Sequence, residues 1–143
     1  MTEPTVAATA QTPLTCIMPI KSAEDADKLA ALLVHAKPKV DAALTDLSTV
    51  HFARFVFLQN RTQLAIITEY DGDFEGYISD FAIHIGEVFD ALFKHIENPP
   101  PAPVAQNRDA FIEWVRERDV PHSGFFSAYP KSKVVDILAA VDA

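Results

Sequence analysis

Cysteine occurs once in the 143 residues, as Cys16. A single thiol cannot close an internal disulfide, which fits a reducing compartment. Glycine occurs only four times, too few for the glycine-rich loops that cradle phosphate groups. Positive charge is scarce and dispersed: 12 Lys and Arg stand against 20 Asp and Glu, a formal net charge of −8. An acidic chain with no basic cluster is a poor match for nucleic acid or an anionic membrane surface. No apolar run approaches the roughly 20 residues that a bilayer-spanning helix needs. Residues Met1 to Pro13 have neither the basic stretch nor the apolar stretch of a secretory signal. Zinc-ligand spacings and nucleophile-elbow motifs are missing as well. The expectation is a cytoplasmic protein without nucleic-acid or membrane partners.

What is present is apolar. Hydrophobic residues make up 49% of the chain and ten of them are phenylalanines. A chain of this length and composition folds as one domain with a real core. The Thr-, Ala- and Pro-rich residues 1–13 read as a flexible N-terminal tail, and residues 14–143 as a single α+β domain.

Leu14 to Ile20 is a short apolar run suited to a first strand. Ser22 can cap a helix, with Glu24 and Asp25 in its first turn. Leu29, Leu32 and Leu33, then Val40, Ala43, Leu44 and Leu47, mark an amphipathic stripe interrupted by Pro38, so a kinked or two-part helix is expected. Two β-rich runs follow, Thr49 to Leu58 and Ala65 to Asp73. The short polar loop between them makes a hairpin. Asp73 caps the longest helix, placed at Phe74 to Ile96, with Tyr77, Ile78, Phe81, Ile85, Val88, Phe89 and Leu92 in its apolar stripe. Asn98 to Pro103 is proline-rich and ends it. A short helix after Asn107 carries Phe111, Trp114 and Val115. Ser123 to Tyr129 reads as a last strand, and Pro130 opens a final helix.

The order strand, helix, strand, strand, helix, strand is the βαββαβ arrangement of ferredoxin-like folds, with helices on one sheet face and extra C-terminal helices. The strands are apolar on both faces. In the second strand Val50, Phe52, Val56 and Leu58 lie on one side, and Ala53, Phe55 and Phe57 on the other. A half-solvated sheet would alternate. A second copy of the sheet is the economical cover, giving a homodimer; a bound ligand is the other.

Charged and polar groups inside these strands are the candidate site, because burying them costs free energy unless they are paired. His51 is a haem ligand, a general base or a hydrogen-bonded structural histidine. Arg54, on the face opposite His51, has Glu69 on the neighbouring strand as its first candidate partner, with anion binding as the alternative. Phe55 and Phe57 supply apolar surface beside His51. The ligand-binding set is therefore His51, Arg54, Phe55, Phe57 and Glu69. His84 and His95 stand about 16 Å apart along one helix and cannot share a metal. Asp71, Asp73 and Glu75 lack the remaining ligands of a calcium loop and read as turn and cap.

His-Phe-Ala-Arg-Phe-Val at 51–56, Glu-Tyr-Asp-Gly at 69–72, and Phe-Phe-Ser-Ala-Tyr-Pro at 125–130 leading into Val-Val-Asp-Ile at 134–137 resemble an uncharacterised bacterial module. It is found in longer proteins grouped beside dye-decolourising peroxidases and is similar to the dimeric α+β-barrel superfamily. The resemblance spans Leu14 to about Val141. It implies the barrel fold more firmly than an activity, since that superfamily holds haem peroxidases, chlorite-dismutase-like proteins, haem-degrading enzymes, cofactor-free monooxygenases and ligand-binding domains. The Gly-X-X-Asp-Gly stretch that marks the haem pocket of dye-decolourising peroxidases is missing here. Three functions follow as expectations. The first is a homodimeric module binding a hydrophobic small molecule or haem. The second is a cofactor-free monooxygenase with His51 as acid–base group. The third is a purely structural dimerisation domain.

Overall fold

In the computed structural model, which describes residues 9–142, the chain runs β1 (Gln11–Pro19), α1 (Ala23–Leu47), β2 (Val50–Leu58), β3 (Gln63–Asp71), α2 (Phe74–Phe93), a single 3-10 turn (Val104–Gln106), α3 (Arg108–Arg118) and α4 (Val134–Val141). It is an α+β fold. Strand β1 begins at Gln11, inside the segment expected as a tail; residues 1–8 of that segment lie outside the described residues.

The helices start where their caps dictate. Ser22 Oγ accepts the Asp25 amide at 3.1 Å and opens α1. Helix α1 then runs through Pro38 as one helix, so of the kinked or two-part helix expected the two-part form is not seen. Val34, whose carbonyl loses its partner at Pro38, lies with Pro38 on the exposed side of the helix. On that side the carbonyl is open to solvent, so the lost bond does not end the helix. Ser48, at φ 55°, closes it. Asp73 accepts the Gly76 amide at 3.1 Å and opens α2, which ends at Phe93, three residues before the expected Ile96. Ile85 departs from helical geometry (φ −135°, ψ 31°) and bends α2 at its centre.

Strands β2 and β3 form the expected hairpin, closed by a loop in which Gln59, Asn60 and Arg61 all have positive φ. Strand β1 pairs antiparallel with the far side of β3, so the sheet order is β1-β3-β2. One face buries Leu14, Cys16, Met18, Leu64, Ile66 and Tyr70 beneath the helices, with Phe55 and Phe57 packed at its edge. The phenylalanines form much of this core. Tyr70 stacks on Tyr77 at 3.8 Å, Tyr77 meets Phe81 at 4.4 Å, Phe81 meets Phe89 at 5.3 Å, and Phe89 meets Phe111 of α3 at 5.5 Å. The buried Tyr77 hydroxyl donates to Thr68 Oγ1 at 2.8 Å, so burying it leaves no polar group orphaned. Cys16 is inert in this setting: burial pushes its thiol up to about 12.

The expected fourth strand at Ser123 to Tyr129 is not formed. The chain does touch the free edge of β1: Cys16 and Asp119 make an isolated antiparallel bridge, and the Val120 amide donates to the Thr15 carbonyl at 2.8 Å. Pro121 follows, and with no amide hydrogen it cannot extend that ladder. Residues 121–133 then lead to α4, in which seven of the eight residues Val-Val-Asp-Ile-Leu-Ala-Ala-Val are apolar and none is buried.

Candidate functional site

Strand register places the site. On the sheet face away from α1 and α2, three cross-strand rows lie side by side: Ile17, Ala65 and Val56; then Thr15, Ile67 and Arg54; then Pro13, Glu69 and Phe52. The next row pairs Gln11 of β1 with Asp71 of β3. On β2 the regular alternation fails at this point. Val50 pairs with Tyr70 while Phe52 pairs with Glu69, leaving His51 as the extra residue of a β-bulge.

The bulge turns His51 onto the same face as Arg54. This corrects the expectation that the two point to opposite faces: strict alternation from Val50 onward holds only for a regular strand. The bulge also separates His51 from Phe55 and Phe57. Those two pair with Ile66 and Leu64 and pack against the helix-covered core. His51, Arg54 and Glu69 line one groove; Phe55 and Phe57 do not.

His51 is held by Asp71, whose place in the sequence suggests only a turn acid. Its Nε2 lies 2.8 Å from Asp71 Oδ1, and the two side chains are 9% and 7% exposed. The second carboxylate oxygen, Oδ2, accepts the Val134 amide at 2.7 Å. Val134 is the first residue of α4, so Asp71 places a negative group at that helix's N-terminus from across the sheet. Gln11, itself buried, secures the preceding turn. Its Nε2 donates to the Tyr129 and Ser132 carbonyls at 2.9 and 2.6 Å. Its Oε1 is buried without a partner among the described residues, as is Thr49 Oγ1. With Nε2 of His51 engaged, Nδ1 is the imidazole nitrogen left without a partner among the described residues.

The groove has a volume of about 1220 Å³ and runs between the C-terminal end of α1, the start of β2, residues 125–129 and α4. Phe52 on the sheet, Leu44 on α1, Phe126 on the connecting segment, and Ile137 and Leu138 on α4 supply its apolar walls. Phe52 is 75% exposed and Phe126 86%. Its charged lining is Asp41, Arg54 and Glu69 beside the His51–Asp71 pair. Asp41 is already engaged by Lys37 at 2.5 Å.

Arg54 corrects a second expectation. Its guanidinium is exposed, not buried, and it forms neither ion pair nor hydrogen bond with Glu69 or any other described residue. Register explains why: Arg54 sits opposite Ile67 and Glu69 opposite Phe52, so the two are diagonal neighbours.

The remaining histidines stay apart from the groove. His84 is exposed on α2. His95 Nδ1 lies 2.8 Å from Asp25 Oδ1, tying the end of α2 to the start of α1. Among the described residues, no three His, Cys, Asp or Glu side chains gather closely enough to hold a metal ion. No helix there is long and apolar enough to cross a membrane.

Two signals in the sequence point toward what was missed. Asp71 and Glu69 are two residues apart on one strand, hence on one face, and Phe125-Phe126 is an aromatic pair in a segment bounded by Gly124 and Pro130. No family model, curated protein or solved structure matches the chain, so the site is read from its own geometry.

Proposed function

We propose that the chain is a homodimeric binding module for a hydrophobic small molecule, with the ligand held in the groove over the open sheet face. The observation that carries this reading is the groove itself. Its volume of about 1220 Å³ is somewhat above the roughly 300–1,000 Å³ of ordinary small-molecule pockets and has room for a sizeable ligand, and it combines apolar walls with a few convergent polar groups. The fold supports a ferredoxin-like reading in which the fourth strand is reduced to the Cys16–Asp119 bridge.

A second copy is the natural cover for the open face. Among the described residues, six of the nine large exposed hydrophobic side chains belong to the groove or to α4: Phe52, Phe126, Tyr129, Val135, Leu138 and Val141. Concentration of this kind on one side of a small domain marks an interaction surface. A helix apolar on all sides is ordinarily buried, and α4 has no buried residue.

Haem is the second reading, favoured by the His51–Asp71 pair. A carboxylate on one imidazole nitrogen is the usual support for a histidine that binds metal through the other. Here Nε2 is taken, so His51 would offer Nδ1.

Two titrations test these readings. The neutral fluorescent probe N-phenyl-1-naphthylamine should brighten and blue-shift with the wild-type chain, and much less with Phe52→Asp. A hemin titration should show a Soret shift lost in His51→Ala if the second reading holds. A probe signal unaffected by Phe52→Asp would remove the groove as the binding site.

A further inference from the structure

The five arginines of the sequence divide four to one. Arg61 bonds Asp27 and the Ala26 carbonyl and lies over the Phe57 ring. Arg108 donates to Ser79. Arg116 bonds Glu113 and Glu75 and lies over Phe74. Arg118 bonds the Trp114 carbonyl and covers that residue's ring at 3.9 Å. Arg54 alone is engaged by nothing among the described residues, and it is also the one Lys or Arg that lines the groove.

Its position makes this informative. Arg54 stands on a strand of apolar residues, next to Phe52 and Val56 on the same face. A guanidinium presents a planar fork of donors that matches a carboxylate in bidentate fashion. The apolar walls begin beside it, with Phe52 on the sheet and Phe126 and Leu138 across the groove.

We infer that the ligand of the groove is an amphipathic monoanion, a carboxylate on an aliphatic or aromatic body, with its head on Arg54. This rests on the binding reading above and adds the chemical class of the ligand. The charge of the lining limits that class. Glu69 shares the floor with Arg54, and Asp41 lies on the α1 wall. Asp41 is already balanced by Lys37, so one guanidinium balances one negative charge there, and a phosphate-class dianion would bring a second charge beside Glu69 with no further Lys or Arg in the lining. Attraction is local as well, because the chain as a whole carries a net charge of −8 and repels highly charged anions at a distance.

The test compares two probes that differ only at the head, dodecanoate and dodecan-1-ol, by displacement of N-phenyl-1-naphthylamine from the full chain. Wild type should bind dodecanoate at least about tenfold more tightly, the lower range for a hydrogen bond to a charged group. Arg54→Gln should abolish that preference while leaving the affinity for dodecan-1-ol unchanged. Arg54 is exposed, so the variant keeps the core intact. Equal affinity of the two probes for wild type, or a preference that survives in Arg54→Gln, overturns the proposal while the binding reading stands on N-phenyl-1-naphthylamine. No binding of any of the three probes overturns both. If Arg54→Gln instead lowers the dimer mass in light scattering and leaves probe preference unchanged, Arg54 serves Glu69 of a second copy, and the proposal falls.

Discussion

Asp71 and Val134 are 63 residues apart in sequence, yet the carboxylate Oδ2 of one accepts the backbone amide of the other at 2.7 Å. This bond fixes the N-terminus of a helix that buries none of its own residues. The other oxygen of the same carboxylate holds His51. One buried side chain thus positions both the imidazole and the α4 wall of the groove. Asp71→Ala should strand two donors and cost about 1.5–3 kcal/mol, the range for hydrogen bonds to a charged group. Hydrogen exchange should show the α4 amides losing protection while the paired amides of β1 and β3 keep theirs. Unchanged protection in α4 would mean that its anchoring lies elsewhere.

Phe81 sits at the centre of the aromatic chain from Tyr70 to Phe111 and is 5% exposed. Phe81→Ala should lower stability by about 3–5 kcal/mol through lost burial and the cavity left behind. That approaches the entire stability of an ordinary domain. Thermal or denaturant unfolding reads this directly, and a melting temperature within a few degrees of wild type would contradict the packing described.

Arg54 and Glu69 share a face and a hairpin without touching. A double-mutant cycle with Arg54→Met and Glu69→Gln should therefore give a coupling energy below about 0.5 kcal/mol, as expected of separated groups. A coupling above about 1 kcal/mol would establish a pair in solution and withdraw Arg54 from the ligand.

The tie between α1 and α2 is sensitive to acid. Asp25 accepts a hydrogen bond from Ser22 and faces His95, and these contacts hold its carboxyl below its ordinary value of 3.8. Because its folded pKa is depressed, the contribution is present above 3.8 and disappears as pH falls through the folded value. Asp25→Asn should thus be less stable than wild type at pH 7 and equal to it at an acid pH below the folded value. Parallel denaturant curves at the two pH values measure this; a gap independent of pH would assign the loss to packing.

Much of the fold was legible because its signals are local. The hairpin follows from two β-rich runs around a polar loop, and α1 and α2 begin at the capping residues Ser22 and Asp73. The site was legible in part. His51, Arg54 and Glu69 stood out as polar groups in apolar strands, and the groove brings all three together. Their geometry was not legible, since a one-residue bulge at His51 reverses the face of everything before it and composition does not encode a bulge. Phe55 and Phe57 were assigned to the site by the same assumption of regular alternation. Ser123 to Tyr129 has the composition of a strand, but pairing is decided by the neighbouring edge, where Pro121 halts the ladder. Asp71 lay hidden because its partners, His51 and Val134, are 20 and 63 residues away.

The groove between Phe52, Phe126 and α4 is the proposed binding site. A titration of the isotopically labelled chain with N-phenyl-1-naphthylamine, followed by amide chemical shifts, tests it residue by residue. Saturable shifts should concentrate at Val50 to Arg54, at Phe125 to Tyr129 and along α4, with the amides of α3 and the Gln59–Thr62 loop unmoved. Shifts that are absent, or that gather at α3 and that loop while Phe52 and Phe126 stay still, would contradict it.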